Sequence, residues 1–265
     1  MDLNLKGRLA LVTGSTAGIG YAAARELARL GASVAVNGRT QKRVAEAIQR
    51  LTAEVAGAQL IAAPGDLATA EGAAALIRAV PEADILVNNA GIFEPKPFFD
   101  IPDADWLTFF EVNVLSGIRL ARHYTPLMVQ KGWGRVVFIS SESALHIPAE
   151  MVHYGMTKTA QLAVARGLAE TVAGSGVTVN SVLPGPTLSE GVATFMRQMA
   201  KGVGDPDLDK MGRDFIAAHR STSLLKRLAS IEEVANMIAY VCSPAASATT
   251  GAALRVDGGV VRAIV

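Results

Sequence analysis

Two hydrophobic rhythms alternate along the chain. Short apolar runs occupy 9–13, 33–37, 59–63, 85–88, 136–140, 177–182 and 253–256. They are rich in Val, Ile and Leu and lack a polar alternate position. That is the pattern of parallel strands buried on both faces. Between them lie alanine-rich stretches with helical spacing at 18–30, 41–55, 69–79, 105–131, 152–174 and 230–242. Strands alternating with helices predict an α/β fold, a parallel sheet with helices on both faces. The segment 187–228 breaks the rhythm. It sets Phe195, Met196, Met199, Met211 and Phe215 among charged residues and is interrupted by Gly202, Gly204 and Pro206. One reading is a surface helix pair with an apolar inner face. The other is a mobile lid, with methionines adaptable enough to shape a substrate pocket.

Composition narrows the classes. The length, 265 residues, fits one domain, and half of the residues are hydrophobic. Lys and Arg number 25 against 24 Asp and Glu, which gives no support for a nucleic-acid or anionic-membrane partner. No apolar run approaches the roughly 18 residues of a membrane span. The opening Met1-Asp-Leu-Asn-Leu-Lys6 lacks a basic stretch followed by an apolar one, so a cytoplasmic protein is expected. Cys242 is the single cysteine, which excludes an intrachain disulfide and a cysteine-based metal cluster. His123, His146, His153 and His219 show no paired ligand spacing, and no metal is expected.

Candidate chemistry enters at two places. Tyr154 and Lys158 stand four apart on a predicted helix, so phenol and ammonium share a face. A nearby cation favours the phenolate, which suits a proton donor or acceptor at a substrate oxygen. Ser141 lies thirteen residues before Tyr154, just past an apolar run. The second place is Gly14-Ser15-Thr16-Ala17-Gly18-Ile19-Gly20, between the first strand and the first helix. Glycines at such a turn let backbone approach a pyrophosphate at a helix N-terminus, although a plain tight turn accounts for them equally well.

Taken together and in order, Thr13-Gly14-x3-Gly18-Ile19-Gly20, Asp66-Leu67, Asn88-Asn89-Ala90-Gly91, Asn113, Ser141, Tyr154-x3-Lys158, Pro184-Gly185 and Asp257-Gly258-Gly259 resemble the short-chain dehydrogenase/reductase family, in its compact single-domain branch. The resemblance implies a Rossmann-type, doubly wound, seven-stranded parallel sheet. It also implies one dinucleotide-binding and catalytic domain over 1–265, with 187–228 as substrate lid. The implied activity is NAD(P)-dependent interconversion of a ketone and a secondary alcohol. Tyr154 would be the general acid/base, and Lys158 would hold the nicotinamide ribose and lower the phenol's pKa. Ser141 would bind the substrate oxygen, and Asn113 would place a relay water. Gly14, Ser15, Thr16, Gly18, Ile19 and Gly20 would cradle the pyrophosphate. Asp66 and Leu67 would meet the adenine, although Asp66 alone reads as a helix cap. Asn89, Ala90, Gly91, Pro184, Gly185 and Thr187 would pass close to the cofactor.

Arg39 ends the second strand where an acid would select NAD, so NADP(H) is expected over NAD(H). A solvated loop arginine is the plainer alternative. Much of the chain resembles 3-oxoacyl-[acyl-carrier-protein] reductases. Gly132 and Ser175 stand where those enzymes tend to be basic, which speaks against an acyl-carrier partner and for a small free carbonyl or alcohol substrate. Glu142, beside Ser141, would read a polar substrate or turn to solvent. His153 would be a surface histidine or line the pocket. The apolar residues Ala160, Leu162, Ala163, Ala165, Leu168 and Ala169 exceed one packed face, so the helices at 105–131 and 152–174 are expected to build a homotetramer. A non-catalytic nucleotide sensor or scaffold on the same fold is the alternative function.

Overall fold

The structure, a computed structural model, describes residues 2–200 and 207–264, without the side chains of Phe195, Gln198 and Met199. Gly202, Gly204 and Pro206 of the expected lid lie outside the described residues, as do the side chains of Phe195 and Met199.

Each apolar run forms a strand. These are β1 (Leu9–Val12), β2 (Ser33–Gly38), β3 (Leu60–Pro64), β4 (Ile85–Asn88), β5 (Gly134–Ile139) and β6 (Val177–Pro184). A two-residue pair, β7 (Thr187–Leu188) and β8 (Ala229–Ser230), precedes the last main strand, β9 (Ala253–Val256). All neighbours pair in parallel, in the order β3-β2-β1-β4-β5-β6-β9. The strand order reverses between β1 and β4. In a doubly wound sheet that switch point opens the crevice where ligands bind.

The helices are α1 (Gly18–Arg29), α2 (Gln41–Glu54), α3 (Ala70–Ala79), α4 (Asp103–Phe110), α5 (Ser116–Gln130), α6 (Val152–Thr171), α7 (Glu190–Met199), α8 (Leu208–His219) and α9 (Ile231–Cys242). Thr40 and Thr69 cap α2 and α3, and Ser230 with Glu233 forms a capping box on α9. Because successive strand residues face opposite ways, β1 feeds two cores. Ala10 and Val12 join Leu27, Val44, Leu51 and Ile238 under α1, α2 and α9. Leu11 joins Leu76, Leu120, Tyr124 and Phe138 under α3 and α5, with Ala165 and Ala169 of α6. Each fully buried Leu or Ile contributes about 1.5–3 kcal/mol of transfer free energy.

The single helix expected over 105–131 is not uniform. α4 and α5 are joined by one wider π turn, Glu111–Leu115. That turn carries Asn113, whose side chain is almost fully buried. Such bulges often mark functional positions.

Candidate active site

The glycine loop is shaped so that only glycine fits. Gly14 and Gly18 adopt φ of 60° and 57°. A Cβ on Gly20 would lie 2.4 Å from Asn89 Nδ2 and 2.5 Å from the Gly14 carbonyl. Asn89 clamps the loop, donating to the carbonyls of Thr13 and Gly14 at 2.9 and 3.1 Å. Thr13 Oγ1 accepts from the amides of Asn89 and Ala90. The first turn of α1 carries no acid, and its N-cap, Ala17, makes no side-chain cap. The helix therefore offers open N–H groups and positive potential to an anion. These features fit a dinucleotide pyrophosphate.

The expected cofactor residues differ in how they face this cleft. The Ser15 hydroxyl turns inward, donating to the Val12 carbonyl at 2.7 Å and accepting from the Asn37 amide at 3.0 Å. Burial obliges that hydroxyl to pair within the protein, which leaves the Ser15 backbone as the part of the residue that lines the loop. Asn37 in turn accepts from the Gly14 amide and donates to the Ala63 carbonyl, tying β1, β2 and β3 together. Arg39 is exposed just past β2. Asp66 caps no helix. Thr69 caps α3, and Asp66 accepts from the Ala68 amide while Leu67 packs into the core. Thr187 Oγ1 donates back to the Gly185 carbonyl. Gly185 is held against the Asp257 backbone, 2.7 Å from where its Cβ would stand. Arg50 was not anticipated. It donates to the Thr16 carbonyl at 2.7 Å and pairs with Glu190 at the start of α7.

Lys158 and Asn113 converge beside Gly91, at the C-terminal ends of β4 and β5, and the Tyr154 ring lies 5.6 Å from Lys158 Nζ. A Cβ on Gly91 would stand 3.2 Å from Asn113 Oδ1 and 3.6 Å from Lys158 Nζ. Asn113 accepts from the Ile92 amide at 2.7 Å and donates to the Ile92 carbonyl and Thr157 Oγ1, both at 3.0 Å. α6 is stitched to β5 by Ser140 Oγ, which donates to the Lys158 carbonyl, and by Lys158 Nζ, which donates to the Ile139 carbonyl at 2.9 Å. Lys158 Nζ also reaches Gln161 Oε1 at 3.3 Å, while Gln161 Nε2 donates to the Asn113 carbonyl at 2.6 Å. Gln161 thus links the Lys158 ammonium to the Asn113 carbonyl.

The electrostatics depart from expectation. Burial pushes the Tyr154 phenol well above its usual pKa; the Ser141 hydroxyl pulls it down, Glu142 pushes it up and Arg220 pulls it down. Lys158 points to the Ile139 carbonyl, with Nζ 5.6 Å from the centre of the Tyr154 ring. Its own burial lowers its pKa to about 8. The expected lowering of the phenol by this ammonium is therefore replaced by desolvation. Glu142 neither faces solvent nor stands free. It is buried, accepts the Ser141 hydroxyl at 2.5 Å and pairs with Arg220 Nε at 3.1 Å. His153 is not a surface residue. It is buried on α6 against Phe109 and Trp106, with ring centroids at 4.1 and 5.9 Å, and burial lowers its pKa.

Among the described residues no group of three or more His, Cys, Asp or Glu side chains is arranged to hold a metal, and no helix is long and apolar enough to cross a membrane.

The family model described as enoyl-(acyl carrier protein) reductase matches residues 14–261. An uncharacterized oxidoreductase, YvaG of Bacillus subtilis, is 50% identical over 264 residues, covering 100% of both chains. The 7alpha-hydroxysteroid dehydrogenase of Escherichia coli K12 is 33% identical, over 97% of this chain and 96% of that one. Among solved structures, L-sorbose reductase from Gluconobacter frateurii, complexed with NADPH and L-sorbose, superposes with a TM-score of 0.93 at 31% identity, covering 100% of each chain.

Proposed function

Because the chain belongs to the short-chain dehydrogenase/reductase family, we propose that it is an NADP(H)-dependent reductase of a small, polar, free ketone, with Tyr154 exchanging the proton. It is an NAD(P)-dependent oxidoreductase that interconverts a ketone and a secondary alcohol, and its relatives lend nothing to the non-catalytic alternative. The observation that supports the site assignment is the meeting of Lys158 and Asn113 at Gly91, with the Tyr154 ring against Lys158 Nζ. A bound nicotinamide supplies the hydride. The chain's own residues do the rest. Tyr154 gives its proton to the carbonyl oxygen, and Ser141 hydrogen-bonds that oxygen as charge develops. Lys158 orients the ribose from a buried, restrained position. Asn113 fixes Gly91 and α6 relative to one another.

A polar substrate is supported by the buried ion pair of Glu142 and Arg220 behind Ser141, with the half-exposed Glu150 on its outer edge, and by the likeness to a ketose reductase. The segment 187–228 is read as the lid. Its Ser189 sits on Gly18, and its Glu190 meets Arg50. NADPH-oxidation assays across polyhydroxy ketones, steroid ketones and 3-oxoacyl thioesters test the substrate class. The highest kcat/KM is expected on a polyhydroxy ketone; the highest on an acyl thioester would overturn the reading.

For the cofactor, Arg39 follows β2, and the first turn of α2 holds no acid while carrying Arg43. NADPH is expected to bind about tenfold or more tightly than NADH, the scale of a charge-assisted pair with the 2′-phosphate. Arg39→Asp is expected to invert the order. Titration of both cofactors against both proteins measures it, and equal wild-type affinities would refute it.

A homotetramer is supported by apolar surface that one chain leaves uncovered. Phe99 is 95% and Leu107 is 70% exposed, beside the half-exposed Phe98 and Phe110. On α6, Ala163 is exposed and Leu162 and Leu168 are half-buried, while Ala165 and Ala169 fill the core. Light scattering at micromolar concentration is expected to give a tetramer mass. A monodisperse monomer would reject the interface.

A further inference from the structure

Behind Ser141 lies a charged chain that the proposed proton transfer does not use. Arg220 follows α8 directly and is 6% exposed. Its Nε donates to Glu142 Oε1 at 3.1 Å, and its Nη1 donates to Glu150 Oε1 at 3.2 Å and to the His219 carbonyl at 2.8 Å. The other oxygen of Glu142 accepts the Ser141 hydroxyl at 2.5 Å. Ser141 Oγ in turn accepts from the Ser143 amide at 3.1 Å. A continuous path therefore runs from α8 through Arg220 and Glu142 to the hydroxyl beside Tyr154.

We propose that Glu142 and Arg220 are positioning residues that act as one neutral pair. Through Ser141 they set the acidity of Tyr154 and orient the Ser141 proton, and they make both depend on the seating of α8. This rests on the reading of Tyr154 as the acid/base.

The physical case has two parts. A hydroxyl that donates to a carboxylate presents its lone pairs elsewhere. With its proton on Glu142, Ser141 accepts from the phenol or from a substrate alcohol, and it donates to a ketone oxygen only by leaving Glu142. The Arg220 charge draws on the same carboxylate and weakens its hold on the serine proton, which is how a charged neighbour tunes such a bond. The second part is the field at the phenol. The carboxylate disfavours the phenolate and the guanidinium favours it, so the two oppose each other while both are in place. The other charged groups facing this region are Lys158, against the Tyr154 ring, and Glu150 and His219 on the far side of Arg220. Glu150 is half-exposed and holds only the outer edge of the guanidinium. Both members of the inner pair are almost fully buried, so solvent screens their effect little.

The test is the pH dependence of kcat/KM in the alcohol-oxidation direction, where the phenolate is the required form. Glu142→Gln removes the opposing carboxylate and leaves Arg220 acting alone. Its rising limb is expected to move down by roughly 0.5 pH unit or more. Arg220→Gln leaves Glu142 unopposed, and its limb is expected to move up by a similar amount. The double variant Glu142→Gln/Arg220→Gln is expected to return close to the wild-type limb. It also guards the experiment, because Arg220→Gln alone leaves a buried unpaired carboxylate that can prevent folding. Glu150→Gln is expected to shift the limb less than either inner change.

Shifts of the same sign in both single variants, or no shift in Glu142→Gln, would overturn the proposal. If Arg220→Gln does not fold, a double variant whose limb departs from wild type as far as Glu142→Gln does would also overturn it. Tyr154→Phe separates the two layers. Retained activity in that variant sinks the acid/base reading itself. Lost activity together with unshifted limbs sinks only the role of the pair.

Discussion

Tyr154→Phe is expected to abolish turnover, lowering kcat by on the order of 10²–10⁴-fold, while cofactor affinity stays nearly unchanged. The substitution removes one oxygen and little else. The ring keeps its edge contact with Phe93, at 6.4 Å between centroids, and its place beneath Lys158 Nζ. The glycine loop and its Asn89 clamp lie on other elements and do not touch the phenol. A loss of kcat without a loss of cofactor binding therefore isolates the proton. Steady-state kinetics and a cofactor titration on the same preparation read the two quantities. Activity within tenfold of wild type would end the assignment of Tyr154 as the acid/base.

The parts legible in the sequence are those written in local pattern. The strands of the main sheet announce themselves as short apolar runs because both faces of a parallel strand are buried, and the structure moves their ends by at most two residues. The glycine loop was legible because backbone that must adopt positive φ, or approach another chain segment within 2.5 Å, tolerates no side chain. Features formed by distant residues were not legible. Seventy-eight positions separate Glu142 from Arg220, and no local spacing foretells that a carboxylate beside Ser141 will be neutralised from the end of α8. Gln161 lies one turn beyond Lys158 and reads as an ordinary polar helix residue until the Asn113 carbonyl is seen opposite it. His153 shows the limit within one helix. Adjacent helical residues point about 100° apart, so the neighbour of Tyr154 turns away from the site and into the packing of α6 on α4. The π turn at Asn113 left no signature, since its five residues, Glu111-Val-Asn-Val-Leu115, suit an α-helix equally well.

Lys158→Met is expected to separate stability from function. Under the role proposed for Lys158, loss of its ammonium is expected to lower kcat/KM by on the order of 10²-fold or more, the scale of a misplaced reacting group. The fold is expected to lose nothing at pH 7. Lys158 is 5% exposed, and burial brings its pKa from 10.5 down to about 8. A shift of that size corresponds to roughly 3 kcal/mol of disfavoured charge in the folded state. Its bonds to the Ile139 carbonyl and Gln161 would be given up, leaving acceptors unpaired at a cost of about 1–3 kcal/mol. The two effects offset, so Tm at pH 7 is expected to equal or exceed that of wild type. The pH dependence gives the sign. Between about pH 8 and 10.5 the unfolded chain binds this proton and the folded protein does not, so the wild-type protein gains stability as pH rises through that window. Below pH 8 the burden on the wild type is complete, and any advantage of the methionine is largest there. By about pH 10 it should have vanished. Thermal or urea unfolding of both proteins at pH 7 and pH 9.5, beside activity at pH 7, decides the matter. A Tm more than about 5 °C below wild type at pH 7, the equivalent of one or two kcal/mol, would show Lys158 to be a net structural support.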